Sequence, residues 1–194
     1  MSMTLGPEEG ETPAASGPNV MDIDFDALIA NETDSTLKDM HEYFRDRTPT
    51  EKNQYTGMFQ GKNLLLFTGE AFWIGAVNEQ YTPTLYKLAH SGFVFENFYN
   101  PLWYYSTVDG EYAATTGLIP TNQVNASQRY AGKNGVSMYF SMGNQLRALG
   151  YPTLAYHNNT ANYYDRNLSH PNLGYDFYAC DTGLDVAMTW PQSD

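Results

Sequence analysis

The heptapeptide Ser106-Thr107-Val108-Asp109-Gly110-Glu111-Tyr112 places hydroxyl side chains shortly after an isolated carboxylate, Glu70, which precedes Thr107 by 37 residues. Glu70 closes the apolar run Asn63-Leu64-Leu65-Leu66-Phe67-Thr68-Gly69, which reads as a buried strand opening into a loop. A carboxylate at a strand's C-terminal end and a threonine at a helix start are parts that a metal-dependent transferase needs. A threonine hydroxyl is a weak nucleophile until a metal or a base activates it. Each residue also has a plainer reading. Glu70 could be a solvated loop residue or a capping partner. Thr107, followed by Asp109 and Glu111, fits a helix N-cap of the capping-box type. The two readings of Thr107 are compatible, because a helix N-terminus also favours a phosphorylated hydroxyl.

Two later residues extend the set. His157 heads a polar loop, His157-Asn158-Asn159, and Arg166 lies in Tyr163-Tyr164-Asp165-Arg166-Asn167. A guanidinium there could clamp a phosphate bidentately, or it could pair with Asp165 or another acid. His157 could equally be a hydrogen-bonded structural group. His41 and His90 fall in predicted helices without a motif, and His170, followed by Pro171, reads as a loop residue. Cys180, the single cysteine, excludes an intramolecular disulfide and a cysteine-based zinc cluster and reads as a buried structural thiol.

Elements must hold these groups in place. Residues 1–20, rich in Glu, Gly, Pro, Ala and Ser, read as a flexible linker or an appended expression segment. Residues 21–60 read as a helical collar, with Leu37, Met40, Tyr43 and Phe44 at helical spacing and Asp34 or Ser35 as its cap. From residue 61 the pattern changes. Strands are predicted at 62–68, 93–99 and 151–156, and helices at 82–90 (Pro83 in the first turn), 107–117 and 136–149. Strands alternating with helices predict an α/β fold with ligands bound at the carboxyl ends of the strands. Glu70 and His157 both fall at such ends.

Composition narrows the function classes. The 194 residues suffice for one domain with a sizeable core, and 42% apolar and 15% aromatic content indicates globular order. The net charge of −12 speaks against nucleic acid as a partner, since phosphate backbones require Lys and Arg. The sixteen tyrosines suit an amphipathic cleft that handles polyols or sugars. No run approaches a membrane span, and no basic-then-apolar leader is present in the sequence.

Taken in order, several blocks resemble the lipoteichoic acid synthase family of the alkaline phosphatase/sulfatase superfamily. They are Gly61-Lys62-Asn63-Leu64 through Glu70, Thr82-Pro83-Thr84-Leu85, Phe95-Glu96-Asn97-Phe98-Tyr99, and the Ser106–Tyr112 heptapeptide. Tyr156-His157-Asn158-Asn159, Tyr164-Asp165-Arg166-Asn167 and Leu173-Gly174-Tyr175-Asp176 follow. The similarity spans about residues 20–194. It implies a three-layer α/β/α sheet, of which 61–194 would be the N-terminal half of a catalytic domain. It also implies a membrane-anchored parent working on the extracellular face, moving phosphoglycerol from phosphatidylglycerol to a polymer or glycolipid acceptor. In that pattern Glu70 and Thr107 resemble ligands of a divalent metal, Mn2+ or Mg2+. Thr107 is also the nucleophile, and His157, Arg166 and Tyr164 hold the phosphoglycerol group.

The chain departs from the family pattern in three places. Leu102-Trp103-Tyr104-Tyr105 precedes the nucleophile where small or polar residues are expected, Tyr164 stands where an indole is expected, and no Asp-His dipeptide completes the metal site. Glu70 and Thr107 alone under-ligand a catalytic metal, so this 194-residue chain is expected to be inactive alone and to bind metal weakly. A sheet edge left open would favour self-association. Two other functions are weighed. A sulfatase or phosphodiesterase would pass the group to water, but neither Cys180 nor Ser106 stands in the Cys/Ser-x-Pro/Ala-x-Arg context of sulfatase nucleophiles. A non-catalytic cell-wall or carbohydrate-binding domain would suit the tyrosines.

Overall fold

The computed structural model of the chain describes residues 16–69, 72–99, 106–120 and 127–186. The chain divides into two units, one ending at Phe67 and the other starting at Thr68. In the first, α1 (Phe25–Asn31) and α2 (Ser35–Arg45) pack on each other, and each begins at an aspartate cap. Asp24 accepts from the backbone N–H of Ala27, and Asp34 from those of Thr36 and Leu37, satisfying donors that a helix start leaves open. Residues 17–19 run antiparallel to 50–52, with Asn19 N donating to Thr50 O at 2.7 Å.

The second unit holds α3 (Pro83–Ala89), α4 (Ser106–Thr116), α5 (Ser127–Asn134), α6 (Met142–Ala148), β1 (Leu154–His157), α7 (Arg166–Asn172) and β2 (Asp176–Ala179). Strands β1 and β2 pair in parallel, with Leu154 opposite Asp176 and His157 opposite Ala179. Parallel strands need a crossover, and the Tyr163–Asp165 turn and α7 supply it. Leu173 and Ala179 are fully buried, joined by Val108, Tyr112, Ala131 and Ala161. Helix α5 meets α7 at Gly132, where a Cβ would come within 2.8 Å of the backbone of Leu168 and Ser169, so only glycine permits this approach.

The α/β class matches the sequence reading, but the sheet among the described residues has two strands. The runs predicted as strands at 62–68 and 93–99 form none there. Leu65 stays 78% exposed and Phe95 76%. A strand exists only through a neighbour's backbone, and an apolar run supplies side chains without supplying that neighbour. The third predicted strand moves from 151–156 to Leu154–His157. The helix predicted over 136–149 shortens to Met142–Ala148, because Ser141 takes the N-cap and donates its hydroxyl to Leu173 O at 2.7 Å. Among the described residues no helix is long and apolar enough to cross a membrane.

Candidate functional site

Helix α4 carries Thr107 in its first turn and Glu111 one turn later, at the i, i+4 spacing that puts two side chains on one face. Its composition, with Gly110 and two terminal threonines, is poor for a helix. Packing holds it: Val108, Asp109 and Tyr112 are buried. Because the helix already includes Ser106, Thr107 is inside it and is not its cap. The Glu111 carboxylate does not fold back on the helix start, as a capping box would require. It reaches instead to Arg166, 55 residues on, at 3.1 Å from Nε.

Arg166 sits at the start of α7 with 4% of its surface exposed. Among the described residues it also meets His157: Nη1 lies 3.0 Å from Nε2, at the carboxyl end of β1. Guanidinium nitrogens only donate, so Nε2 is the accepting nitrogen. The backbone N of Asn159 also faces His157, at 3.3 Å from Nδ1. A neutral imidazole has one accepting nitrogen, and the shorter contact assigns it to Arg166. The rings of Tyr164 and Tyr163 flank the guanidinium, with centroids 5.4 and 5.9 Å from Cζ.

The turn that delivers Arg166 is strained. Tyr164 and Asp165 adopt φ of 57° and 59°, a left-handed conformation that side chains disfavour. Asp165 is held there by Arg129 of α5, at 2.9 Å from Nε, and by Lys133, at 3.0 Å. The Arg129 and Lys133 hydrogen bonds lower the Asp165 carboxyl below its usual range. Cross-links to a neighbouring helix thus offset the strain and fix where Arg166 begins its helix.

Glu111 is the hub. Gln128 donates to its Oε2 at 2.6 Å, and His170 Nε2 lies 3.3 Å from its Oε1. Burial would raise its pKa, but the hydrogen bond and charge of His170, the charge of Arg166 and the Gln128 hydrogen bond outweigh burial and hold it at about 2. It is a carboxylate at any physiological pH. His170, read from sequence as a loop residue, is a buried member of α7. Cys180 is half-buried.

The structure therefore brings His157, Arg166 and Tyr164 together and sets Thr107 on the helix face of Glu111. Glu70 lies outside the described residues. Gln128 and His170 carried no sequence signal, and Glu111 carried only the capping pattern. Among the described residues no three His, Cys, Asp or Glu side chains converge as metal ligands. Glu111 is committed to a guanidinium, an imidazole and an amide, donors that a divalent cation would have to displace. The described residues alone do not fit such an ion.

The sulfatase family model matches residues 62–193, which include α4, Arg166 and His157. The chain belongs to the sulfatase family. Membership carries the alkaline phosphatase-like α/β architecture, of which the β1–α7–β2 crossover is a part seen here. This sulfatase-family chain is also 26% identical, over 159 residues, to lipoteichoic acid synthase 2 of Bacillus subtilis (strain 168). The match covers 76% of this chain and 23% of the relative, so the chain spans well under half the relative's length. No solved structure matches the chain.

Proposed function

We propose that this chain carries part of a phosphoglycerol-transfer site, with Arg166, His157 and Tyr164 holding the phosphoryl group and Thr107 as nucleophile. One observation carries the reading. An arginine has five N–H groups; Glu111 takes one and His157 one, leaving three without a protein acceptor among the described residues. A buried, pre-oriented guanidinium with open donors suits an oxyanion. The sulfatase family and the lipoteichoic acid synthase relative support phosphoryl chemistry.

In the proposed step, Thr107 Oγ1 forms a bond to phosphorus as the bond from phosphorus to the diacylglycerol oxygen breaks. The proton leaves Thr107 and the departing alkoxide takes one up. A second, reverse displacement by an acceptor hydroxyl of a polymer or glycolipid regenerates Thr107. Arg166 stabilises the charge developing on the phosphoryl oxygens. The same proposal places the reaction on the extracellular face of a membrane, with phosphatidylglycerol as donor. It makes Glu70 and Thr107 ligands of Mn2+ or Mg2+, tested by Mn2+ titration of the wild type against Glu70→Ala.

Binding of sn-glycerol 1-phosphate to the purified chain, followed by 31P NMR, tests the reading. Saturable binding that weakens at least about tenfold in Arg166→Ala is expected. Binding that survives this substitution unchanged moves the phosphoryl site elsewhere. In the full-length protein, Thr107→Ala should abolish transfer with the fold intact; water as the sole acceptor in the wild type would favour the hydrolase reading.

A further inference from the structure

We infer that Glu111 is a positioning residue, holding the Arg166 guanidinium by its Nε edge so that the remaining donors face an incoming oxyanion. The inference rests on the reading that Arg166 binds a phosphoryl group, and it adds the residue that makes such binding specific in direction.

Three observations carry it. First, the carboxylate engages Nε through both oxygens, at 3.1 and 3.4 Å, and leaves the Nη2 donors uncommitted. A carboxylate set on the outer Nη edge would block the anion it is meant to serve. Second, Glu111 is itself fixed from two sides, by Gln128 of α5 and His170 of α7. An arginine has a long, many-rotamer stem, and a partner that is itself immobile removes that freedom before ligand arrives. Third, Glu111 is four residues after Thr107 on the same helix. The proposed nucleophile and the proposed anion clamp are thereby referenced to one rigid element, and a displacement of α4 would move both together. The low exposure of Arg166 adds that the guanidinium needs a counter-charge when no ligand is present, and Glu111 supplies it.

The test reads the guanidinium directly. In a 1H–15N spectrum of the chain at neutral pH, the Arg166 Nε–H resonance, assigned by its loss in Arg166→Lys, should be sharp and slow to exchange with water. In Glu111→Ala it should broaden or vanish through fast exchange. The affinity for sn-glycerol 1-phosphate should fall about tenfold, while the amide signals of Leu173 and Ala179 stay in place. Glu111→Gln, which keeps shape and loses charge, should give an intermediate exchange rate and covers the case in which the alanine variant does not fold. A protected Nε–H in either variant, or unchanged affinity where Arg166→Ala loses binding, overturns the role of Glu111. If the wild type shows the protected Nε–H and the variants lose it while no form binds glycerol phosphate, the positioning stands and the phosphoryl reading fails.

Discussion

The corner formed by α4, α5 and α7 and the stretch from residue 72 to 99 belong to the same unit and are built on opposite terms. The corner buries charge: Glu111 joins Arg166, His170 and Gln128 across three helices. The stretch exposes hydrocarbon: Trp73, Ile74, Phe95 and Phe98 are largely exposed. A polar network closes on itself once its few members meet, because each hydrogen bond is saturable. An apolar run has no such stopping point and is complete only when other surface covers it. Among the described residues, the polar contacts of the candidate site come from α4, α5, β1 and α7.

The sharpest way to break that contrast is to remove the guanidinium. Arg166→Ala leaves a carboxylate buried between helices and should cost about 3 kcal/mol, read as a shift of the urea midpoint. A loss under about 1 kcal/mol would show that the network does not support the corner. The pH dependence probes the same charges. The carboxyl of Glu111 titrates at about 2 in the fold, below its ordinary 4.5. A depressed carboxylate stabilises the fold above its unfolded value, so the contribution is complete above about pH 4.5 and fades as pH falls toward 2. Integrated, this is on the order of 3 kcal/mol, and the difference between wild type and Glu111→Gln over that window should show it. A flat difference would contradict the ion pairing.

Smaller effects follow. Gly132→Ala should push α5 from α7, because the new methyl would meet backbone and not a movable side chain; about 2 kcal/mol is expected. Tyr164→Gly should relieve a strained φ worth about 1 kcal/mol while weakening glycerol phosphate binding through loss of the ring beside Arg166. Phe95→Ser, in the exposed stretch, should change stability by less than about 0.5 kcal/mol. A large loss there would mean that the stretch is packed, and the contrast would fall.

Sequence carried some of this further than the rest, for local reasons. Helix α3 was legible from Pro83 in its first turn and α4 from the Ser106–Tyr112 block, because caps and breakers act over a few residues. His157 and Arg166 stand out in the sequence by chemical type and by their place in the blocks Tyr156–Asn159 and Tyr164–Asn167, and the fold brings them to 3.0 Å. Helix α7 was not legible: Pro171 lies inside it and disfavours helix at His170. Burial of Ser169, His170 and Leu173 overrides that preference. Glu111 looked like a capping acid because its partner is 55 residues away, a pairing that no local pattern encodes. The runs 62–68 and 93–99, predicted as strands, form none for the converse reason, since apolar content does not encode a pairing partner.

The central claim is that Arg166, oriented by Glu111 and His157, holds a phosphoryl group. Calorimetric titration of the wild-type chain and Arg166→Lys with sn-glycerol 1-phosphate tests it most directly, because lysine keeps the charge and loses the planar fork. The account predicts saturable binding by the wild type and at least about tenfold weaker binding by the lysine variant, with matching circular dichroism. Equal affinities, or no saturable binding to the wild type, would contradict it.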